Sequence, residues 1–300
     1  SFSQQKYSIY IDADFTGTVA SSESIKQGII TALAEVNNNI QGFEFEIVVK
    51  DHRANSLRSR RNLEAYLKDE QALLVFSGLH SPPLLANKSF INNKQILLLD
   101  PWAAAGPITR STDKENWIFR LSIDDSNAGT FISQQALKQG FNKPFLLLED
   151  TGWGRSNKKT MSMALMAASL KPIGISWFNW GIGKNHAKVI LRKIKDSDAD
   201  VIFFVGNSAE GVTFTNAMID LPEKLRLPIR SHWGITGGDF VNQVSFQQRQ
   251  NIDLQFIQTN FSFLTKNLSK YEQSIVELAI VANDDLNDIT DIKAQTGFVH

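Results

Sequence analysis

The chain contains no cysteine, which excludes disulfide staples, thiolate metal sites and a cysteine nucleophile together. No stretch approaches the roughly 18 consecutive apolar residues of a membrane-spanning helix. Excess charge is missing as well. Lys plus Arg and Asp plus Glu each number 31, so no bulk field draws the chain onto DNA, RNA or an anionic membrane surface. The first residues, SFSQQKYSIY, lack the basic and apolar regions of a signal peptide. Pro-rich linkers, low-complexity tracts and short repeats are absent too.

What is present is 300 residues with 42% hydrophobic content, more than one ordinary core needs and suited to two lobes. Apolar strand-like runs alternate with segments of helical periodicity. The first series has strands at 7–15, 43–51, 72–78, 95–100 and 117–122, with helices at 22–38, 56–70, near 82–93 and at 124–140. The second has strands at 144–150, 173–180, 199–206, 228–232 and 252–261, with helices at 155–170, 185–198, 209–221 and 267–286. Strands separated by helices of this length form βαβ units and parallel sheets. The fold class is therefore α/β, with two doubly wound parallel-sheet lobes joined by a hinge near 120–125. Residues 1–121 plus 252–300 make the N-terminal lobe, and 122–251 the C-terminal lobe.

In open parallel sheets, ligands bind beyond the carboxyl ends of the strands. His80 and Ser81 follow one strand, Trp102 and Ala104 the next, and Trp153 stands between two glycines in LLEDTGWGRSN. Asn207 and Glu210 follow VIFFVG, and His232 and Trp233 follow PIRS. Three of the six tryptophans thus fall just past a strand, among small residues, while Trp177 and Trp180 read as lying within one. One such tryptophan ordinarily plugs a sheet end; three at equivalent positions point to a shared cleft. Gly152 and Gly154 then free the backbone so that Trp153 faces a ligand.

Catalytic and cofactor motifs are incomplete. GWGRSN lacks the third glycine of a dinucleotide fingerprint, and GNSAEG has Glu210 where a nucleophile elbow needs glycine. There is no P-loop and no HExxH, so no cofactor is expected. His80 and His232 without a placed carboxylate make a poor metal site, and each reads better as a hydrogen-bonding pocket residue or a structural one.

YSIYIDADFTGTVASSESIKQGIITALAEVN, VFSGLHSPPLLANKSFINNKQILLLDPWAAAGPIT, FRLSIDDSNAG, EDTGWGRSN, DVIFFVGNSAEG and SHWGITGG follow one another in an order that resembles the type I periplasmic binding proteins. The likeness is to their branched-chain amino-acid (Leu/Ile/Val) branch, from about 7 to 298, and it rests on the order of loops. It implies a non-enzymatic, periplasmic or extracytoplasmic receptor that closes over a small-molecule ligand. Its partner would be the membrane permease of an ABC importer or a membrane-anchored signalling domain.

Carried over by position, Ser81 matches the helix-start serine that holds the ligand carboxylate, and Trp102 and Ala104 the small-residue loop. Trp153 and Asn207 match cleft positions, and Ser21 and Ser22 lie in the first loop bordering the cleft. Trp233 falls where amino-acid binders often carry an acid for the ligand ammonium. Asp125 or Glu210 is then left to supply that charge, or the rings of Trp102, Trp153 and Trp233 do so at about 0.5–2 kcal/mol per cation–π contact. The implied ligand is aromatic, cationic or amino-acid-like. KAQTGFVH resembles the start of a late helix that continues in the family.

Two rivals use the same architecture. An α/β enzyme would employ His80, Asp125 or His232 in acid–base work within the same cleft. A ligand-responsive transcription regulator would carry a basic helix-turn-helix ahead of residue 7, and the sequence shows none.

Overall fold

The computed structural model describes residues 5–110 and 114–300. Residues 1–4 and 111–113, both within the expected N-terminal lobe, lie outside the described residues.

In chain order, the elements begin β1 (Lys6–Ala13), α1 (Val19–Glu35), β2 (Asn39–Ile40), β3 (Phe43–Asp51), α2 (Ser56–Lys68), β4 (Ala72–Ser77), α3 (Ser81–Asn93), β5 (Leu98–Asp100) and β6 (Ile118–Arg120). Then come α4 (Asp125–Lys138), β7 (Pro144–Glu149), α5 (Gly152–Ala167), β8 (Gly174–Phe178), α6 (Lys184–Asp196), β9 (Val201–Val205), α7 (Ser208–Asp220) and β10 (Ile229–Ser231). The series closes with α8 (Phe240–Gln243), α9 (Phe246–Arg249), β11 (Leu254–Phe256), α10 (Lys270–Ala282) and α11 (Gln295–Val299). Local chemistry sets several of these boundaries. Asn55 and Asp124 accept the N–H groups of Arg58 and Asn127 and so cap α2 and α4. Ser269 and Glu272 form a reciprocal capping box on α10.

The chain divides into two compact units. One holds Ser1–Ala103, Pro107–Ser122 and Thr259–His300; the other holds Ala104–Gly106 and Ile123–Gln258.

In the first unit the sheet order is β2-β3-β1-β4-β5-β6. Only β2 runs antiparallel; the other neighbours are parallel, with Ile9 opposite Ile47 and Ile11 opposite Val49. Ile9, Ile11 and Ala13 of β1 bury themselves with Ile25 and Ile29 of α1. A second cluster, Phe263, Ala279, Leu286, Ile292 and Phe298, belongs to the returning chain.

In the second unit the order is β11-β10-β9-β7-β8, all parallel. Its core centres on Phe178, Phe204 and Phe214, with the first two rings stacked at 5.6 Å. These runs read as continuous apolar segments because both faces of such a sheet are covered.

Two expectations need correction. The sequence reading returns the chain to the first lobe at 252, yet Leu254–Phe256 pairs with Ile229–Ser231 and completes the second sheet. The return comes at Thr259, because edge pairing, which no local pattern reveals, decides sheet membership. Trp180, read as part of a strand, lies beyond Phe178, the last residue of β8.

Candidate functional site

Each sheet reverses its strand order beside its first strand: between β1 and β4 in the first unit, and between β7 and β9 in the second. At such switch points the carboxyl ends of the strands open a crevice. The chemistry-bearing side chains gather around both.

In the first unit, β1 delivers Asp14 and β4 delivers His80. His80 Nε2 stands 3.2 Å from Asp14 Oδ2, both side chains buried. Asp14 Oδ1 also accepts the N–H groups of Thr16 and Gly17. Burial raises the Asp14 pKa, but the His80 contact and these N–H donors outweigh it and leave the carboxyl at about 2. His52, after β3, has its ring 6.5 Å from that of His80. Burial, then the nearby His80 charge, pushes His52 down to about 4.

Ser81 opens α3, and Pro82 and Pro83 follow it. Prolines carry no N–H, so of the first three helical residues Ser81 alone has a backbone N–H to offer. Past β5, Trp102 is buried and its N–H donates to Asp100 Oδ1 at 3.1 Å. Arg120 holds the same loop by its contacts with Asp100 Oδ2, the Ala103 carbonyl and Thr109. Burial pushes Asp100 up to about 7, with Arg120 offsetting only part of it.

Ser21 and Ser22 depart from expectation. Both are fully buried, and their hydroxyls donate to the carbonyls of Thr18 and Asp14. They fix the β1–α1 loop from within α1.

In the second unit, Asp125 is the first residue of α4 and is wholly buried. Its N–H donates to the Ala104 carbonyl at 2.8 Å, so that carbonyl is engaged in anchoring α4. Asp125 Oδ1 lies 2.9 Å from His232 Nε2 and accepts the Trp153 indole N–H at 3.2 Å. The N–H of Trp233 donates to His232 Nδ1 at 2.9 Å. A nitrogen that accepts carries no proton, so the His232 proton sits on Nε2 and points at Asp125. Trp153 and Trp233 each meet the His232 ring edge to face, at 5.0 and 5.9 Å.

A second buried acid stands beside this group. Glu149 ends β7, and its Oε1 accepts the Trp180 indole at 2.6 Å and the Asn207 amide at 3.4 Å. Its Oε2 accepts the Thr151 hydroxyl. Glu210, in the first turn of α7, accepts the Gly181 N–H at 3.3 Å.

Sequence reasoning missed Asp14, Glu149 and Trp180. The signal for all three was the same strand-end rule that found Trp153. Gly154 also has a different role from the one assigned. It lies in the first turn of α5, where a Cβ would stand 1.8 Å from the Glu149 carbonyl oxygen. Close approach of helix to strand requires this glycine, not freedom of φ.

The structure thus brings Asp125, Trp153, His232 and Trp233 into one group and Asn207 into a second with Glu149. His80 joins Asp14 in the first unit. Among the described residues no group of three or more His, Cys, Asp or Glu side chains is placed to hold a metal ion. None of their helices is long and apolar enough to cross a membrane.

Two doubly wound α/β units, each with polar and aromatic side chains at its switch point, define the type I periplasmic-binding-protein fold. A family model described as "Periplasmic binding protein" matches residues 12–221, and the chain belongs to that family. No curated protein matches it in sequence. Solved structures share its fold. One is a solute-binding protein of an ABC transporter from R. palustris in complex with 4-hydroxybenzoate, with TM-score 0.76, 18% identity, and 98% of this chain and 78% of that one covered. Another is a type 1 periplasmic binding protein from Bordetella pertussis Tohama I, with TM-score 0.81, 15% identity, and 98% and 81% covered. The leucine-binding protein LivK of Thermotoga maritima MSB8 is similar at TM-score 0.76 and 13% identity, with 98% and 81% covered.

Proposed function

We propose that the chain is an extracytoplasmic solute receptor that closes over one small organic molecule and presents it to the membrane permease of an ABC importer. The observation that carries this reading is the placement of buried acids, histidines and tryptophans at the switch points of both sheets. The chemistry there is that of recognition: each acid is held by hydrogen bonds rather than set against a nucleophile. The ligand is aromatic, cationic or amino-acid-like. Its carboxylate would meet the first turn of α3 at Ser81, with the loop from Trp102 to Ala104 beside it. Trp153, Asn207 and Trp233 of the second unit are further ligand-binding residues in this reading. Neighbours in complex with 4-hydroxybenzoate or named for leucine support a ligand of this size.

A thermal-shift screen against amino acids, aromatic acids, amines, polyamines and small sugars tests the proposal. Binding stabilises the folded state by mass action, by about 2.7 kcal/mol at a hundredfold excess over Kd. A rise with one chemical class, and recovery of that compound unaltered, is the expected result. Conversion of the compound to product would replace the receptor reading with an enzyme using the same residues.

A further inference from the structure

His52 follows β3, and both its backbone and its ring are held. Its N–H donates to the Ala13 carbonyl at 2.9 Å, and its carbonyl accepts the Asn55 N–H at 2.8 Å. Arg53 and Ala54 then turn with φ of 50° and 57°, a left-handed conformation uncommon for residues that carry a Cβ. The Ala54 N–H thereby donates back to His52 Nδ1 at 3.0 Å. A nitrogen that accepts an amide proton carries none of its own, so the imidazole is neutral and its one proton sits on Nε2. The low pKa of about 4 agrees, since burial and then the nearby His80 disfavour the charged ring.

The residue is only 2% exposed. Yet among the described residues Nε2 is neither sealed inside the protein nor bonded to an acceptor. Buried donors are almost always paired; this one is locked in orientation and left open, as a specificity contact requires. It lies at the carboxyl end of β3, next to β1, with its ring 6.5 Å from that of His80. The charges around it are negative. Asp14 is ionised at neutral pH. Burial acts upward on Asp51, but the Thr16 hydroxyl and the Arg53 and Phe15 N–H groups outweigh it and lower that carboxyl too. Both acids act on His52 through their charge. A carboxylate brought to Nε2 would face the two of them, whereas a neutral oxygen would not.

We propose that His52 is a specificity-determining residue of the first unit: its Nε2–H donates to a neutral oxygen of the solute, a hydroxyl or a carbonyl, and selects solutes that carry one. The inference rests on the receptor reading above and adds a second polar contact to the one at Ser81. A solute without that oxygen leaves the donor unpaired. Such a vacancy is what lets a site reject an analogue that lacks a single polar group. The two ring nitrogens thus have separate tasks: Nδ1 anchors the loop, and Nε2 reads the solute.

Separate tasks allow separate tests, by isothermal titration of the whole protein with matched pairs. The pairs are L-tyrosine with L-phenylalanine, 4-hydroxyphenylacetate with phenylacetate, and 4-methyl-2-oxopentanoate with 4-methylpentanoate. In wild type the oxygen-bearing member of at least one pair should bind at least about fivefold more tightly. His52→Asn keeps an acceptor for the Ala54 N–H and removes the Nε2 donor, so it should bring that pair to within about twofold. His52→Gln gives up the Nδ1 acceptor but reaches the Nε2 position with an amide N–H, and should keep most of the preference. A purely structural histidine would leave the preference unchanged in His52→Asn, and that result overturns the proposal. Loss of the preference in His52→Gln overturns it as well, and His52→Gln alone decides the matter if His52→Asn does not fold. A sugar from the screening panel that outbinds every pair is put through the same variants, and unchanged affinity in His52→Asn again overturns it. Wild-type protein that binds these acids without preferring the oxygen-bearing member, or that binds an oxygen-free amine most tightly, overturns it and leaves the receptor reading standing. Failure to bind any of these compounds or the screening panel overturns both.

Discussion

His80 Nε2 lies 3.2 Å from Asp14 Oδ2, and through this contact the carboxyl end of β4 is tied to that of β1. The Asp14 pKa, lowered to about 2, makes the pair a stability element with a definite pH range. A depressed carboxyl contributes fully above its unfolded value near 4, and that contribution is lost as pH falls through about 2. His80→Ala should destabilise the protein by about 1–3 kcal/mol at neutral pH and move the acid unfolding limb upward. His80→Gln keeps an N–H donor and should recover part of both effects. Acid titration followed by circular dichroism reads this directly; identical acid limbs for wild type and His80→Ala would dissolve the pair as a stabilising contact.

Asp12 shows the opposite sign. Burial lifts its pKa to about 7, against the hydrogen bonds of Ser59 and Asn62. A raised carboxyl contributes stability below its unfolded pKa near 4, which is lost as pH rises through about 7. His52, lowered to about 4, works the other way: its contribution is full above about 6.5 and lost as pH falls through 4. Asp12→Asn should therefore match wild type near pH 4 and exceed it by about 1–3 kcal/mol near pH 8. Urea unfolding at the two pH values decides the matter, and a variant less stable than wild type at pH 8 would contradict it.

The alternation of strands and helices was legible because each element carries its own periodicity and both sheets are covered on both faces. The strand-end rule then located Ser81, Trp102, Trp153, Asn207 and His232. What stayed hidden depends on partners distant in the chain. Nothing in LQF says that its edge pairs with Ile229–Ser231, and so residues 252–258 were assigned to the wrong sheet. Glu149 reads as an ordinary polar strand end until Trp180, 31 residues on, is seen to donate to it. Asp124 and Asp125 look alike in the sequence, whereas Asp124 caps the helix and Asp125 turns inward to His232, 107 residues on. Trp153 does follow the end of β7, as its sequence position suggests. The sequence could not show that its indole nitrogen is committed to an acid of the protein.

That commitment changes what a Trp153 substitution measures. The side chain is 6% exposed, so truncation to alanine would remove core volume as well as any ligand contact. Trp153→Phe keeps most of the ring and removes the N–H donated to Asp125. Loss of one of two donors to a buried carboxylate oxygen should cost about 1–2 kcal/mol in the ligand-free protein. Affinity for the solute identified by the thermal screen should fall at the same time, because Asp125 is then held by His232 alone. Urea unfolding and titration on the same preparation separate the two effects. Full stability with full affinity would show that the indole–carboxylate contact matters to neither.

The tightest constraint at this site is steric. The first turn of α5 comes so close to the end of β7 that a Cβ on Gly154 would lie 1.8 Å from the Glu149 carbonyl oxygen and 3.2 Å from the Trp177 ring. The carbonyl is backbone and also accepts the Thr151 N–H at 2.9 Å, so it has no flexible end to give way. Relief requires the helix start to move, carrying Trp153 away from Asp125. Gly154→Ala should accordingly cost about 2–4 kcal/mol, or roughly 3–6 °C in melting temperature for a protein of this size. Gly234→Ala presses on the Trp153 ring itself, with a Cβ 2.5 Å from Trp153 Cη2 and 2.6 Å from the Gly206 carbonyl oxygen. If both substitutions act by displacing Trp153, their combined cost should fall short of the sum of the single ones, since a ring already displaced by one is not displaced again. Thermal unfolding of the two single variants and the double variant tests this. Strict additivity would mean that each glycine answers to its backbone neighbour alone.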